Sequence, residues 1–484
     1  MSVLKNLQPE KVFYYFEEIC KIPHGSFNTK QISDYLVSFA KERGLKYYQD
    51  HADNVVIYKP ATAGYEDAPV TILQGHTDMV CEKTADSVHD FMTDAIELCV
   101  DGDIVSAKDT TLGGDNGVAV AYALAILDSD TIEHPALEAV FTSNEEVGLL
   151  GADALDAGAL KGTVMLNLDS EVEGVFTVGC AGGMTAKSMI PLNYWEADGL
   201  RVDISISGLN GGHSGIDINK SRGNATILLG RFLYELGKEN DYMLMEINGG
   251  LKDNAIPRMA SATIVVAKED AAAVVASAQV FEEALIQEYA GSDADVKVDA
   301  VPKRSGTFKV MDMASKMRTI LFLRNVPNGV QKMSGQIEGL VETSTNLGVL
   351  VTEDGMLKAS SSVRSSLPSA KREVGDRICF LTEFLGGEYE ESGNYPGWAY
   401  DADSKIRPLL VSVYEKMYGK TPVIEAIHAG LECGVFVEKM KNVDCISFGP
   451  SLTAIHTVEE HFSISSVQRT WEYILSILKE MKNY

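Results

Sequence analysis

Short apolar runs alternate with helical patterns along the first third of the chain, and this alternation restricts the possible folds more than any other feature. Pro69–Leu73, Leu137–Phe141 and Thr163–Leu168 have the composition of buried strands. A helical pattern from Asn116 to Leu127 separates the first two runs. Strands that alternate with helices in this way predict an α/β domain with a mostly parallel sheet.

A different pattern begins beyond the glycine-rich segment Gly179–Met184. Arg201–Ile206 alternates polar and apolar residues as a half-exposed strand does, and a helical pattern follows at Asn224–Leu236. We interpret Met317–Leu323 and Val330–Thr345 as a second strand and a second helix in the same order. This region therefore predicts a more antiparallel α+β domain with two similar halves, joined to the first domain by a glycine-rich hinge.

The α/β pattern returns in the last part of the chain. The polar stretch Glu388–Gly397 is interpreted as a linker, and Val443–Phe448 beyond it has the composition of a strand. We therefore predict one discontinuous α/β domain of residues 1–186 and 391–484, with residues 187–390 inserted as a second domain. A length of 484 residues agrees with two domains, because a single hydrophobic core usually stops growing at ~250–300 residues.

The composition excludes several classes of function. The 69 acidic residues outnumber the 42 basic ones, and the net charge of −27 opposes binding to nucleic acids or anionic membranes. Seven scattered cysteines without a C-x-x-C spacing provide neither a disulfide framework nor a thiolate zinc site. The N-terminal residues lack the apolar region of a signal peptide, and no apolar stretch is long enough to span a bilayer. We therefore expect a soluble, cytoplasmic protein.

Acidic residues and histidines follow the ends of the predicted strands. Because ligands bind beyond the carboxyl ends of strands in open α/β sheets, these side chains are expected to converge. Taken singly, each could be a helix cap, a turn residue or part of a solvated charge run. Taken together at one sheet edge, they predict a metal site. The residues are His76, Asp78, Asp115, Glu145, Glu146, Asp169 and His456.

The types of these side chains predict which metal would bind. Imidazole and carboxylate groups without a thiolate favour zinc, with cobalt or manganese as alternatives. The acids are more numerous than the ligands that one catalytic zinc ion usually takes, so we predict two divalent ions per chain. A carboxylate shared between both ions would hold them ~3.5–4 Å apart.

Five motifs occur in a fixed order: Gln74–Val80, Thr111–Gly117, Thr142–Gly148, Asn167–Ser170 and Ala454–Thr457. They resemble those of the aminoacyl-histidine dipeptidases, or cytosolic non-specific dipeptidases, of the co-catalytic dizinc metallopeptidase superfamily. The resemblance extends over essentially the whole chain. It implies a dizinc-peptidase-type catalytic domain with a mostly parallel mixed sheet, and an inserted α+β lid and dimerisation domain. It also implies hydrolysis of dipeptides, including carnosine-like Xaa-His substrates, by a metal-bridged hydroxide.

The resemblance also implies five metal ligands, one of which is shared. Asp115 bridges the two ions, and the peptide bond after it is expected to be cis. His76 and Asp169 complete the coordination of one ion. Glu146 and His456 complete that of the other.

Three further residues are implied to act on the reaction or on a ligand. Glu145 is the general base, which takes a proton from the attacking water and delivers it to the leaving amine. Asp78 orients the ring of His76. His213, in the loop Gly211–Gly215, donates a hydrogen bond to the scissile carbonyl oxygen, where negative charge develops. Because the family counterpart of its domain dimerises, we expect a homodimer in which His213 is supplied to the partner's site.

The inserted domain is also implied to bind the substrate. Asn254 and Arg364 resemble the groups that hold its C-terminal carboxylate, which a guanidinium fits with two hydrogen bonds. Gly430 resembles a backbone contact to the same substrate.

Several alternatives stay open at this point. His428, with Glu432 four residues later, is the main rival of His456 as a metal ligand. An amino-acid deacylase or an aminopeptidase on the same scaffold would need the same metal site, because each hydrates an amide carbonyl. A non-catalytic metal-binding protein is disfavoured by Glu145, which is surplus to coordination. Nucleotide binding is disfavoured because neither glycine-rich loop has a phosphate-binding lysine or a G-x-G-x-x-G opening.

Overall fold

The structure, a computed structural model, describes residues 3–484 and divides into two compact units. Unit 1 contains the chain up to Cys180, together with Trp398–Ala426 and Leu431–Tyr484. Unit 2 contains Ala181–Gly397 and Ile427–Gly430. The division therefore falls at 180/181 and 397/398, where the sequence predicts 186/187 and 390/391, and four later residues return to unit 2.

The N-terminal part of unit 1 alternates strands and helices as predicted. The three predicted buried strands are confirmed as β3, β6 and β7, and the predicted helix between the first two is confirmed as α3. The elements are α1 (Glu10–Ile19), α2 (Lys30–Glu42), β1 (Lys46–Gln49), β2 (Val55–Lys59), β3 (Thr71–His76), β4 (Leu98–Asp101), β5 (Ile104–Ala107), α3 (Gly114–Asp128), β6 (Leu137–Thr142), α4 (Leu150–Ala154), β7 (Val164–Asn167) and β8 (Val175–Cys180).

Unit 2 is built from long strands and four helices in residues 181–397. Its elements are β9 (Gly182–Pro191), β10 (Tyr194–Ser207), β11 (Gly212–His213), α5 (Ala225–Glu239), β12 (Met243–Gly249), β13 (Ala255–Ile256), β14 (Ala260–Val266), α6 (Ala271–Glu288), β15 (Lys297–Met311), α7 (Met313–Asn325), β16 (Gly329–Met333), β17 (Val341–Glu353), β18 (Met356–Ser365), α8 (Pro368–Phe384) and β19 (Glu388–Tyr395).

Three predictions for this region are wrong. The run predicted as a strand, Met317–Leu323, lies inside α7, where Thr319, Ile320 and Leu323 are buried at helical spacing while Met317 is exposed. The predicted helix at 330–345 is instead formed by β16 and the start of β17. The polar stretch predicted as a linker is β19, an edge strand whose side chains are largely exposed. Exposure on both faces explains its polar composition.

The C-terminal part of the chain completes unit 1. The predicted strand near 443–448 is confirmed as β21, which is two residues shorter. The elements are α9 (Ile406–Tyr418), β20 (Val423–Ile427), α10 (Glu432–Lys439), β21 (Asp444–Ser447), β22 (Leu452–Thr453), β23 (His461–Ser463) and α11 (Ile464–Glu480).

The main sheet of unit 1 has the strand order β1-β2-β6-β3-β7-β21-β8-β20. The central pairs β6/β3, β3/β7 and β7/β21 are parallel, whereas β1/β2, β2/β6 and β21/β8 are antiparallel. All residues of β3 and β6 are buried. Residues Val118–Leu127 of α3 are also all buried, which explains an apolar sequence on every face of that helix. The parallel centre brings the carboxyl ends of β3, β6 and β7 to one edge of the sheet.

The sheet of unit 2 is antiparallel, with the order β15-β10-β14-β12-β17-β18-β9-β19 and with β16 paired to β17. Helices α5–α8 bury apolar side chains in one core with this sheet, including Leu229, Phe232, Phe281, Phe322 and Ile378. The predicted α+β class of this region is therefore confirmed. Within residues 3–484, no helix has the combination of length and apolarity needed to cross a membrane.

Candidate active site

Five of the predicted residues meet at the carboxyl edge of the unit 1 sheet. Asp115 lies between the two histidines, with Oδ1 3.1 Å from His76 Nε2 and Oδ2 3.2 Å from His456 Nε2. Asp169 Oδ1 is 3.5 Å from His76 Nε2. Glu146 Oε1 is 3.0 Å from His456 Nε2. The ligand atoms of His76, Asp115 and Glu146 all lie within 4.8 Å of one another, so these residues form a candidate metal-binding group.

Neighbouring elements bring these side chains together. His76 is the last residue of β3, and Asp169 lies two residues beyond the end of the parallel strand β7. Glu146 follows β6, the other parallel neighbour of β3. Asp115 lies in the kinked first turn of α3, and the Asp115–Asn116 peptide bond is cis, as the resemblance implies.

Asp78 occupies the expected place but makes different contacts from those expected. His76 Nδ1 donates a hydrogen bond to the backbone oxygen of Asp78 at 3.0 Å, whereas the Asp78 carboxylate is 3.6 Å away. That carboxylate instead accepts hydrogen bonds from the backbone N–H groups of Glu145 (2.9 Å) and Glu146 (3.3 Å) and from the Ser26 hydroxyl (2.8 Å). Asp78 therefore orients His76 through its backbone and the Glu145–Glu146 turn through its side chain.

The site concentrates negative charge in a buried place. Burial raises the pKa of Glu145 well above its usual value, and the charges of Asp169 and Glu146 raise it further. Burial, together with the charges of Asp115 and Glu146, raises the pKa of Asp169 to about 6. Hydrogen bonds to Asp115 and Glu146 raise the pKa of His456 to about 10. A bound divalent cation would neutralise the negative charge of these crowded carboxylates. The mixture of oxygen and imidazole donors fits zinc, cobalt or manganese.

The rival ligand His428 has partners of its own in unit 2. It belongs to unit 2, where its Nε2 lies 2.7 Å from the Ser344 hydroxyl. Burial and the charge of Arg364 lower the pKa of His428 to about 3, so the ring is neutral. Glu432, its predicted companion, is in unit 1 and completely buried, and it accepts hydrogen bonds from Gln74 (2.5 Å) and Thr142 (2.7 Å). Each of these two residues therefore has its hydrogen-bond partners within its own unit.

His213 is held in one tautomer within unit 2. Its Nδ1 accepts hydrogen bonds from the backbone N–H groups of Gly215 and Ile216, both at 3.2 Å. The proton of the neutral ring is therefore on Nε2, which leaves that atom as a donor. Burial lowers the pKa of His213, and the charge of Arg364 lowers it further. The ring is thus a neutral hydrogen-bond donor at physiological pH.

Arg364 is a buried cation that has no acidic partner among residues 3–484. Its side chain is 8% exposed, and its Nη1 donates a hydrogen bond to the Tyr395 hydroxyl at 3.1 Å. Its Nε has no hydrogen-bond partner, and no carboxylate of residues 3–484 forms an ion pair with it. A buried charge is costly unless it is paired, so this position calls for an anion.

The other two predicted substrate-binding residues lie beside these groups. Asn254 is exposed, and its backbone oxygen accepts a hydrogen bond from the N–H of Ser214, the residue after His213. Gly430 packs so closely on Tyr395 that an added Cβ would lie 2.9 Å from the tyrosine ring. Unit 2 therefore brings His213, Arg364 and Gly430 into one polar region.

Comparison with known proteins agrees with this geometry. The family model "Peptidase family M20/M25/M40" matches residues 72–480. The chain belongs to this peptidase family. It is 38% identical to the cytosol non-specific dipeptidase of Escherichia coli strain K12, over 99% of each chain.

Solved structures of other proteins are also similar to this M20 family member. The aminoacylhistidine dipeptidase of Vibrio alginolyticus superposes with a TM-score of 0.93 and 39% identity, covering 99% of this chain and 98% of the other. An aminopeptidase of Bacillus cereus superposes with a TM-score of 0.57 and 14% identity, covering 98% and 99% of the two chains, and shows the fold alone. The family and fold class implied by the motifs are therefore confirmed.

Two residues that organise the site of this M20 peptidase were missed in the sequence. The Asn116 side chain accepts a hydrogen bond from the His76 N–H (3.2 Å) and donates one to the Leu168 carbonyl (2.9 Å), which ties α3 to β3 and β7. Gly75 makes room for it, because an added Cβ would lie 2.4 Å from Asn116 Oδ1. Glu460 binds the backbone before Asp115. Its only signal in the sequence is its position four residues after His456.

Proposed function

We propose that this M20 peptidase is a dipeptidase that hydrolyses free dipeptides, Xaa-His substrates among them, with two divalent ions per chain. Zinc is the favoured ion. The observation that carries the proposal is the convergence of His76, Asp115, Glu146, Asp169 and His456 at one sheet edge. The names of the Escherichia coli and Vibrio alginolyticus relatives, a non-specific and an aminoacylhistidine dipeptidase, support the same substrate class.

In this proposal the residues of unit 1 divide the work between binding and proton transfer. When bound, the two ions supply Lewis-acid polarisation and lower the pKa of water. Glu145 lies close enough to His76, Asp169 and Glu146 for their charges to act on it. We assign its carboxylate the role of taking a proton and returning it to the leaving amine, as the resemblance implies. Its raised pKa suits a group that must both accept and release that proton.

The residues of unit 2 select the substrate. Arg364 supplies the cation for the C-terminal carboxylate of the dipeptide, and its unpartnered Nε supports this assignment. Asn254 and Gly430 contact the same end of the substrate. The Nε2–H of His213 donates to the carbonyl oxygen as negative charge develops on it.

We further propose that His213 is supplied to the partner's site in a homodimer, as the resemblance implies. Its neutral ring, with the proton on Nε2, provides the hydrogen-bond donor that this role needs. A homodimer and a cytoplasmic location remain part of the proposal. The location rests on the composition and on the name of the Escherichia coli relative.

A substrate panel tests the proposed function. Metal-replete protein is assayed with free dipeptides such as Ala-His, and with tripeptides, N-acyl amino acids and C-terminally amidated dipeptides. Free dipeptides should have kcat/KM values at least ~10-fold above the other classes, because a charged pair is worth about 1.5–3 kcal/mol. A preference for N-acyl amino acids would indicate a deacylase, and a preference for tripeptides would indicate an aminopeptidase.

A further inference from the structure

Glu460 binds the backbone that leads into Asp115. Its side chain is 3% exposed, and both carboxylate oxygens accept backbone hydrogen bonds. Oε2 accepts from the N–H groups of Leu112 (2.7 Å) and Gly113 (3.1 Å). Oε1 accepts from those of Gly114 (2.8 Å) and Asp115 (3.3 Å). Four consecutive N–H groups therefore point at one carboxylate.

The backbone before Asp115 is shaped for this contact. Gly113 has a φ of 73°, a left-handed conformation that turns successive N–H groups to the same side. Gly114 begins α3, and a Cβ there would lie 3.3 Å from Glu460 Oε1. The N–H groups at a helix start have no partner within the helix and carry partial positive charge, so they bind an anion well.

Glu460 also belongs to the turn that carries His456. The Glu460 N–H donates to the Thr457 carbonyl at 3.1 Å, and the Thr457 hydroxyl donates to the Ala454 carbonyl at 2.7 Å. His456 lies within this turn with a φ of 62°, and its side chain is 45% exposed. Packing around the ring therefore contributes little to its position, and the buried Glu460 side chain is the polar anchor of the turn.

We propose that Glu460 is a positioning residue that joins the His456 turn to the Asp115 turn, so that both donate correctly to the same metal ion. The inference rests on the two-ion site of the proposed function. It extends that function to a residue that touches neither the ions nor the substrate. Partners of this kind, which hold a ligand in place, typically change metal affinity by ~10–100-fold when they are altered.

The test compares Glu460→Gln with Glu459→Gln, its exposed neighbour. Zinc binding is measured by competition with a chromophoric chelator on protein freed of metal. Wild type and Glu459→Gln should bind two ions alike. Glu460→Gln places an NH2 group against backbone N–H donors, so the ion held by both His456 and Asp115 should bind ~10–100-fold more weakly, and the ion that shares only Asp115 should be weakened less. His456→Ala serves as the reference for loss of that same ion.

Thermal unfolding separates positioning from general stabilisation. A purely structural role would lower the Tm of Glu460→Gln equally with and without zinc. A positioning role reduces the rise in Tm that zinc produces, because that rise depends on affinity for the native state. If Glu460→Gln does not fold, Glu460→Asp keeps the charge, shortens the reach and is judged by the same measurements.

The outcomes distinguish the inference from the function on which it rests. Two ions bound to a folded Glu460 variant within ~3-fold of the wild-type affinities would overturn the positioning role and leave the dipeptidase proposal intact. A wild-type protein that binds fewer than two ions would overturn the two-ion site itself, whatever the variants do.

Discussion

Two adjacent glutamates show how much a single position matters at the residue scale. Glu146 Oε1 lies 3.0 Å from His456 Nε2 and belongs to the candidate metal-binding group, whereas Glu145 does not. The Asp78 carboxylate holds the backbone N–H groups of both residues, so their side chains are presented in different directions from one fixed turn. The predicted division of roles between base and ligand stays a prediction that substitution can test.

We predict that Glu145→Gln retains two metal ions but lowers kcat by ~10²–10⁴, because the substitution preserves size and removes the base. Glu146→Gln should lose one ion as well as activity, because an amide is a weaker ligand than a carboxylate. Elemental analysis and steady-state kinetics of both variants measure this. Loss of metal from the Glu145 variant alone would reverse the two assignments.

The guanidinium of Arg364, whose Nε has no hydrogen-bond partner within residues 3–484, leads to a second prediction. Arg364→Ala should raise KM for free dipeptides by ~10–100-fold while kcat changes little, because a uniformly bound charged group is removed. C-terminally amidated dipeptides, which lack the anion, should be affected far less. Arg372→Ala removes an exposed arginine of α8 and is the matched control. Equal losses for free and amidated substrates would argue for a structural role of Arg364.

At the scale of secondary-structure elements, local patterns predicted the buried strands and the amphipathic helix at Asn224–Leu236, but they did not predict helix α7. The strands β3, β6 and β7 are short apolar runs between polar segments. This pattern can be recognised from the sequence alone. Helix α7 contains an apolar run whose composition is equally typical of a strand. Its four-residue burial spacing becomes visible only where it packs in the unit 2 core, since tertiary contacts override weak local preference.

Glu432 connects three elements and gives a pH-dependent prediction. It begins α10 and accepts hydrogen bonds from Gln74 of β3 and Thr142 of β6, while its Oε1 has no partner. Burial raises the pKa of Glu432 to about 7 from a usual value of 4.5. The folded state therefore holds a proton that the unfolded state releases between these pH values, and the contribution of Glu432 to stability falls as the pH rises from about 4.5 to about 7.

Glu432→Gln should remove this loss of stability. In metal-free protein, its Tm relative to wild type should increase as the pH rises from 5 to 7 and then stay constant above about 7. The difference at pH 8 should correspond to as much as ~3 kcal/mol, because each pKa unit is worth about 1.4 kcal/mol. Glu438→Gln, an exposed change on the same helix, should show no such trend. A Tm difference that does not depend on pH would mean that Glu432 is ionised without penalty.

At the scale of the whole molecule, the open question is whether one chain supplies every catalytic group. The sequence resemblance implied that His213 serves a partner's site. Both His213 and Arg364 belong to unit 2. We propose that unit 2 of one chain supplies His213 to the site of its partner.

Complementation between inactive variants decides this question. His213→Ala and Glu145→Gln chains should each be nearly inactive, and mixing them should restore nothing if both residues act in the same chain. Under trans supply, random exchange makes half of the dimers mixed, and each mixed dimer has one intact site out of two. About a quarter of the wild-type activity would then return after verified subunit exchange. That recovery is the expected outcome, and its absence would reject the shared site.

The sequence by itself determined the buried strands, the acids and histidines that follow them, and the family to which the chain belongs. These features are local: an apolar run and the residue after it are neighbours in the chain, so their pattern is legible without coordinates. The order of the five motifs then identified the family over nearly the whole length of the chain.

Only the tertiary structure decided which partners these residues have. The backbone oxygen of Asp78 binds the His76 ring while its carboxylate binds a different turn. Glu460 binds the backbone N–H of Asp115, 345 residues earlier in the chain, and Arg364 is buried without an anion. Contacts between residues so far apart in the chain do not produce a periodic pattern in the sequence. They are set by which elements the packed cores bring into contact, and that is why the structure was needed to find them.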